Sequence, residues 1–130
     1  MFLLTKGEIM LVPSPMFISG RLMAALKLEG VGQLEVSESG QWRIEDSTGA
    51  ELDSGADLRC PCANDYGDIM ASLLGFLGAA AEAYRYGPSS ENFDLFSPAA
   101  MEWAYMNSEE LFMAEYEWAR LPRQARRCRG

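Results

Sequence analysis

The sequence predicts an α+β fold, an antiparallel β-meander followed by helices. Three observations carry this reading. Apolar and polar residues alternate through about residues 17–54, short turns ending in glycine divide that stretch, and after residue 65 the apolar period lengthens from two to about 3.6. The expected architecture is a four- to five-stranded meander over about 17–54, counting an N-terminal strand as the fifth. About three helices, at about 66–86, 98–106 and 108–120, pack on one of its faces.

The elements follow in chain order. Residues 2–12 read as the N-terminal strand, interrupted by Pro13 and Pro15, and residues 16–20 lead into the meander. Leu22, Ala24, Leu26 and Leu28 alternate with polar neighbours. So do Leu34 and Val36, then Trp42 and Ile44, then Ala50 and Leu52. Between them stand "GVG" (30–32), "ESG" (38–40) and "STG" (47–49). Each matches a three-residue hairpin loop whose last residue takes positive φ.

These turns imply a register. Leu28 should face Leu34, Leu26 should face Val36, and Trp42 should face Val36. Ile44 should face both Leu34 and Leu52. The opposite face is expected to be polar, with Lys27, Glu35, Arg43 and Asp53 forming a ladder of alternating sign.

The first helix carries a bulky stripe of Ile69, Leu73, Phe76, Leu77, Ala80 and Tyr84, expected to face the sheet. Its thin side, Ala71, Gly75, Gly78 and Ala79, is a candidate seam for another helix or a second copy. Two glycines inside a helix cost about 1 kcal/mol each relative to alanine, so thinness there has a use. Ser97 caps the second helix with Pro98 at its first position. Asn107 and Glu110 have capping-box spacing and start the third, which ends before Pro122. On that helix Glu109, Glu110, Met113 and Glu117 share a polar face. Leu111, Phe112, Ala114, Tyr116 and Trp118 cover the rest, and Glu115 interrupts the apolar arc.

The motif "RCPCAND" (59–65) suggests a metal or redox centre, but the spacing is C-x-C with proline between. Three cysteines and no histidine do not complete a four-ligand zinc set of the usual kind, and redox pairs are usually C-x-x-C. Cys60 and Cys62 are therefore expected to sit in a bend, with Asn64 or Asp65 capping the first helix. No metal and no cofactor is expected. The missing histidine also removes Ser-His and Cys-His nucleophile pairs, and no glycine-rich phosphate loop is present.

The chain has 130 residues, 48% of them hydrophobic, enough for one cored domain. No apolar run approaches a membrane span, and the N-terminal stretch does not read as a signal peptide, which points to the cytoplasm. Net charge is −8. Five arginines (Arg120, Arg123, Arg126, Arg127, Arg129) fall in the last 11 residues, leaving six basic and 19 acidic residues before them. The organisation is a single domain over 1–121 with a basic tail, expected to be mobile, at 122–130.

An acidic body repels nucleic acid and membranes and attracts basic proteins. The function this implies is a non-catalytic module that binds and inhibits a basic, nucleic-acid-handling partner, in part by presenting carboxylates where that partner expects phosphate. Phage counter-defence proteins (anti-CRISPR and anti-restriction types) and toxin-immunity proteins are the comparable classes. The candidate partner-binding residues are Glu102, Trp103, Glu109, Glu110, Met113 and Glu117. A structural or chaperone-like homodimer is the second reading, and a small enzyme using carboxylates with a divalent metal is the third.

Overall fold

The computed structural model describes the backbone of residues 3–4, 7–11, 16–18, 20–56, 58 and 66–119. Its strands are β1 (Leu3–Leu4), β2 (Gly7–Leu11), β3 (Met16–Ile18), β4 (Arg21–Leu28), β5 (Gly32–Val36), β6 (Trp42–Asp46) and β7 (Glu51–Gly55). Its helices are α1 (Tyr66–Tyr86), α2 (Pro98–Met106) and α3 (Ser108–Ala119). The class is α+β, with an antiparallel sheet first and three helices after it, as the alternation predicts. Cys60, Cys62, Cys128, Asn64, Asp65 and the arginine-rich tail lie outside the described residues. Among the described residues no helix is long and apolar enough to cross a membrane.

The sheet order is β1-β2-β4-β5-β6-β7, with β3 beside β4. The single N-terminal strand expected over 2–12 is instead a hairpin, pairing Leu3 with Glu8 and Leu4 with Gly7. β2 and β3 then share one edge of β4, where Leu11 faces Leu26 and Met16 faces Met23. Four residues separate Leu11 from Met16 on that edge, against two on β4.

Two of the three turns form as expected. Gly40 (φ 93°) and Gly49 (φ 91°) close three-residue loops, with the Gly40 and Gly49 amides donating to Ser37 O and Asp46 O. The first turn slips by one residue. Val31 N donates to Leu28 O, so the loop is 29–31 and Leu28 faces Gly32. Leu26 therefore faces Leu34, and Ala24 faces Val36. The shift in pairing is two residues, so every side chain keeps its predicted face. Gly32 is the cause. At φ 147° it lies so close to β6 that an added Cβ would overlap Glu45 O.

A second departure sits in β7. Arg43 faces Ser54 and Ile44 faces Asp53, but Glu45 faces Glu51, which leaves Leu52 as a bulge. The bulge turns Asp53 toward the helices. Its Oδ2 accepts from Ser97 N at 2.6 Å, and Ser97 Oγ donates to Leu52 O at 3.0 Å. Ser97 Oγ also accepts from Ala100 N, capping α2 as predicted. Asp53 thus leaves the expected ladder and anchors a helix start. Lys27 faces Gln33, so of the ladder only Glu35 and Arg43 remain cross-strand partners.

The core lies between sheet and helices. α1 packs on β4 and β5, α2 packs on α1 and β7, and α3 packs on α1. Leu26, Leu34, Val36 and Ile44 meet Leu73, Leu77, Met101 and Trp118 there. The face expected to be polar and solvated is in part buried as well, at Met23, Ala25, Glu35 and Ser37. Glu35, 1% exposed, receives Gln33 Nε2 and lies 3.7 Å from Arg43 Nε. Arg43 also pairs with Glu45 and, at 3.8 Å, with Glu51.

Two predictions follow from this sheet. Arg43→Met leaves the Glu35 carboxylate buried without its cation, so urea denaturation should show a loss of about 3 kcal/mol or more, much of it recovered in Arg43→Met/Glu35→Leu. An unchanged midpoint in Arg43→Met contradicts this account of the pair. Asp46 gives a pH signature. Its carboxylate accepts from the Thr48 hydroxyl first, then from the Thr48 and Ala50 amides, and these bonds hold its pKa below the ordinary 3.8. A lowered folded pKa contributes stability above the ordinary value and loses it as pH falls through the folded one. Asp46→Ala should therefore melt below the parent at neutral pH, with the gap closing as pH drops under 3.8.

Candidate protein-binding groove

Each of α2 and α3 hangs on one buried indole. Trp103 of α2 is 8% exposed, and its Nε1 donates to Val31 O in the β4–β5 turn at 3.1 Å. Trp118 of α3 is 1% exposed, and its Nε1 donates to Gly67 O in the first turn of α1 at 3.0 Å. An indole N–H buried without an acceptor is costly, so these bonds set where each helix lies and how it is rotated. Asn107 joins the two helices. Its side chain donates back to Trp103 O at the close of α2, and its carbonyl accepts from Leu111 N at the start of α3.

The rotation of α3 inverts part of the predicted pattern. Leu111, Ala114 and Trp118 face inward, while Phe112 (67% exposed) and Tyr116 face out. Glu117, expected on the polar face, is buried, and among the described residues its Oε1 has no hydrogen-bond partner. Glu115 is exposed beside α1.

Between α1 and α3, at the end of α2, this leaves a groove of about 380 Å³. Leu74, Leu77 and Ala81 of α1, Ala104 of α2 and Leu111 of α3 form its apolar floor. Glu82, Glu109 and Glu115 line it with carboxylates, and Phe112 stands beside them. Among the described residues neither Glu82 nor Glu115 makes an ion pair. Gly78 also lines the groove, and a Cβ added there meets nothing within 4 Å. At Gly75 the nearest atom is Glu115 Oε2, 4.0 Å away. The expected helix seam is thus divided. Ala71 packs against the core, Gly75 sits beside α3, Gly78 opens to solvent, and Ala79 is half-buried.

The predicted partner-binding residues are dispersed by the fold. Glu109 lines the groove, Glu102 is exposed on α2, and Glu110 and Met113 are half-buried on α3. Trp103 is a core residue with its one donor already used, so it is not available as a surface anchor. The carboxylates at Glu82 and Glu115 and the ring of Phe112 are not among the partner contacts that the sequence predicts. The signal for one of them was present, since Glu115 breaks an otherwise apolar arc. Among the described residues no cluster of His, Cys, Asp and Glu could hold a metal ion.

Comparison with known proteins found no matching family, no matching curated protein and no matching solved structure.

The new role of Trp103 is open to test. Trp103→Phe keeps most of the ring but removes the donor to Val31 O, so thermal or urea unfolding should show a loss of about 1–3 kcal/mol. A variant as stable as the parent contradicts a structural role.

Proposed function

We propose that this chain is a non-catalytic protein-binding module whose groove between α1 and α3 receives a basic, partly apolar segment of a partner protein. The observation that carries this reading is one concave surface that combines an apolar floor with three carboxylates, two of them without an ion pair among the described residues. The chemistry of such a surface asks for two things in its occupant. Apolar side chains gain by leaving water, roughly 1.5–3 kcal/mol for each large one fully buried. Lysine or arginine must flank them, because a groove carboxylate covered by an uncharged or acidic segment loses water and gains no cation in return.

The charge of the body supports the same partner class. The residues before the arginine-rich tail carry 19 acidic and six basic side chains, a field that draws basic proteins in over distances of about a Debye length. Basic surfaces are most common on proteins that handle nucleic acid, and an occupant tied up in this groove would be withheld from phosphate. Inhibition of such a protein is the role this surface would serve best.

The test begins with capture from host lysate across a salt series, but rests on the captured protein after purification. Its affinity should fall about tenfold for Glu82→Gln/Glu115→Gln, the size of effect typical of two charged contacts at an interface. It should be lost for Gly78→Leu, which fills the groove from a position with open space around it. Glu38→Gln/Glu91→Gln removes two exposed carboxylates that do not line the groove and should leave affinity unchanged. If that control pair weakens binding as much as the groove pair, net charge alone is at work and the groove is not the site.

A further inference from the structure

Resting on that reading, we propose that the occupant of the groove is a short amphipathic basic helix rather than an extended segment or a loop. Length is the first argument. The α1 wall runs from Leu74 to Glu82 and the α3 wall from Ser108 to Glu115, spans of about 12 and 10 Å at 1.5 Å per residue. Two turns of a guest helix match that length. They present two large apolar residues, spaced three or four apart, to the floor.

Backbone chemistry is the second argument. A peptide lying extended over an apolar floor must find partners for its own N–H and C=O groups, as it does along a sheet edge. Both long walls here are helices, whose backbone groups past the first and last turns are already bonded to one another. They offer no row of alternating donors and acceptors. A helix arrives with its backbone satisfied and needs the site only for side chains.

The third argument is the sign and placement of the polar groups. Glu82 belongs to one wall, and Glu109 and Glu115 belong to the other. Lysine or arginine on both flanks of the guest's apolar stripe would meet a carboxylate on each side. Phe112, at 67% exposure, supplies a ring over which the guest's second anchor can close.

The test uses defined probes. One is a fluorescein-labelled 14-residue peptide with leucine at i, i+4, i+7 and i+11 and lysine and alanine elsewhere. The second is a scrambled peptide of the same composition with its stripe destroyed, and the third is the parent peptide with a central proline. Anisotropy should show the striped peptide binding at least tenfold tighter than either control, with circular dichroism showing added helix in the mixture. Glu82→Gln/Glu115→Gln, Phe112→Ala and Gly78→Leu should each remove that preference. Equal binding of all three peptides, or binding of the striped one without added helix, overturns the inference. If the captured partner still depends on Gly78 and Glu115 in that case, the groove remains the site and only the helical form of its occupant falls. If neither peptides nor partner respond to the groove variants, both readings fall together.

Discussion

Two indole N–H groups govern the helical layer. Trp103 and Trp118 are large enough to contribute heavily to the core, but each brings a donor that an apolar interior cannot leave unmet. Each finds a backbone carbonyl at a place where regular structure begins or turns, Val31 in the first meander turn and Gly67 at the start of α1. Those carbonyls are fixed by elements that form locally. The tryptophans transmit their positions outward and hold α2 and α3 against α1. Residue 107 alone links the two helices, so the corner between them has little freedom once both indoles are placed.

The groove is a consequence of that corner. With Trp118 bound to Gly67, α3 buries Leu111, Ala114 and Trp118, and Phe112, Glu115 and Tyr116 must point away. Glu115 and Phe112 are thereby delivered to the rim, opposite Glu82 and the open backbone at Gly78. The magnitudes assign different tasks to floor and rim. Exposed ion pairs contribute about 0–1 kcal/mol each and weaken with salt, whereas a buried aliphatic anchor contributes several times that. Affinity would come from the floor, while approach and orientation would come from the carboxylates.

Much of this was legible in the chain. Three helices, the Ser97 cap and two of three turns were readable because each depends on local chemistry: a proline at a first helical turn, a glycine at positive φ, an apolar period. What was not legible depends on contacts far apart in sequence. "GVG" offers two glycines, and only the approach of Glu45 O shows that Gly32 belongs in the strand and Gly30 in the turn. The bulge at Leu52 is settled by Asp53 and Ser97, 44 residues apart. The groove fared worst for the same reason. A helical wheel puts Glu117 on the polar face and Phe112 among the buried residues. The Trp118 bond, which spans 51 residues, rotates that wheel and reverses both assignments.

Phe112 makes the functional argument sharper than charge alone does. Burying its ring would contribute roughly 1.5–3 kcal/mol, a large share of the stability of a small domain. A small rotation of α3 toward the core would begin to do so, but it would pull Trp118 from Gly67 O and carry Glu115 inward with it. The fold instead holds the ring in water beside an apolar floor and buries Glu117, whose Oε1 meets no donor among the described residues. Both choices cost stability. A partner that covers Phe112 and matches Glu82 and Glu115 would recover the first cost at the interface, which would give this helix rotation a purpose that stability alone does not supply.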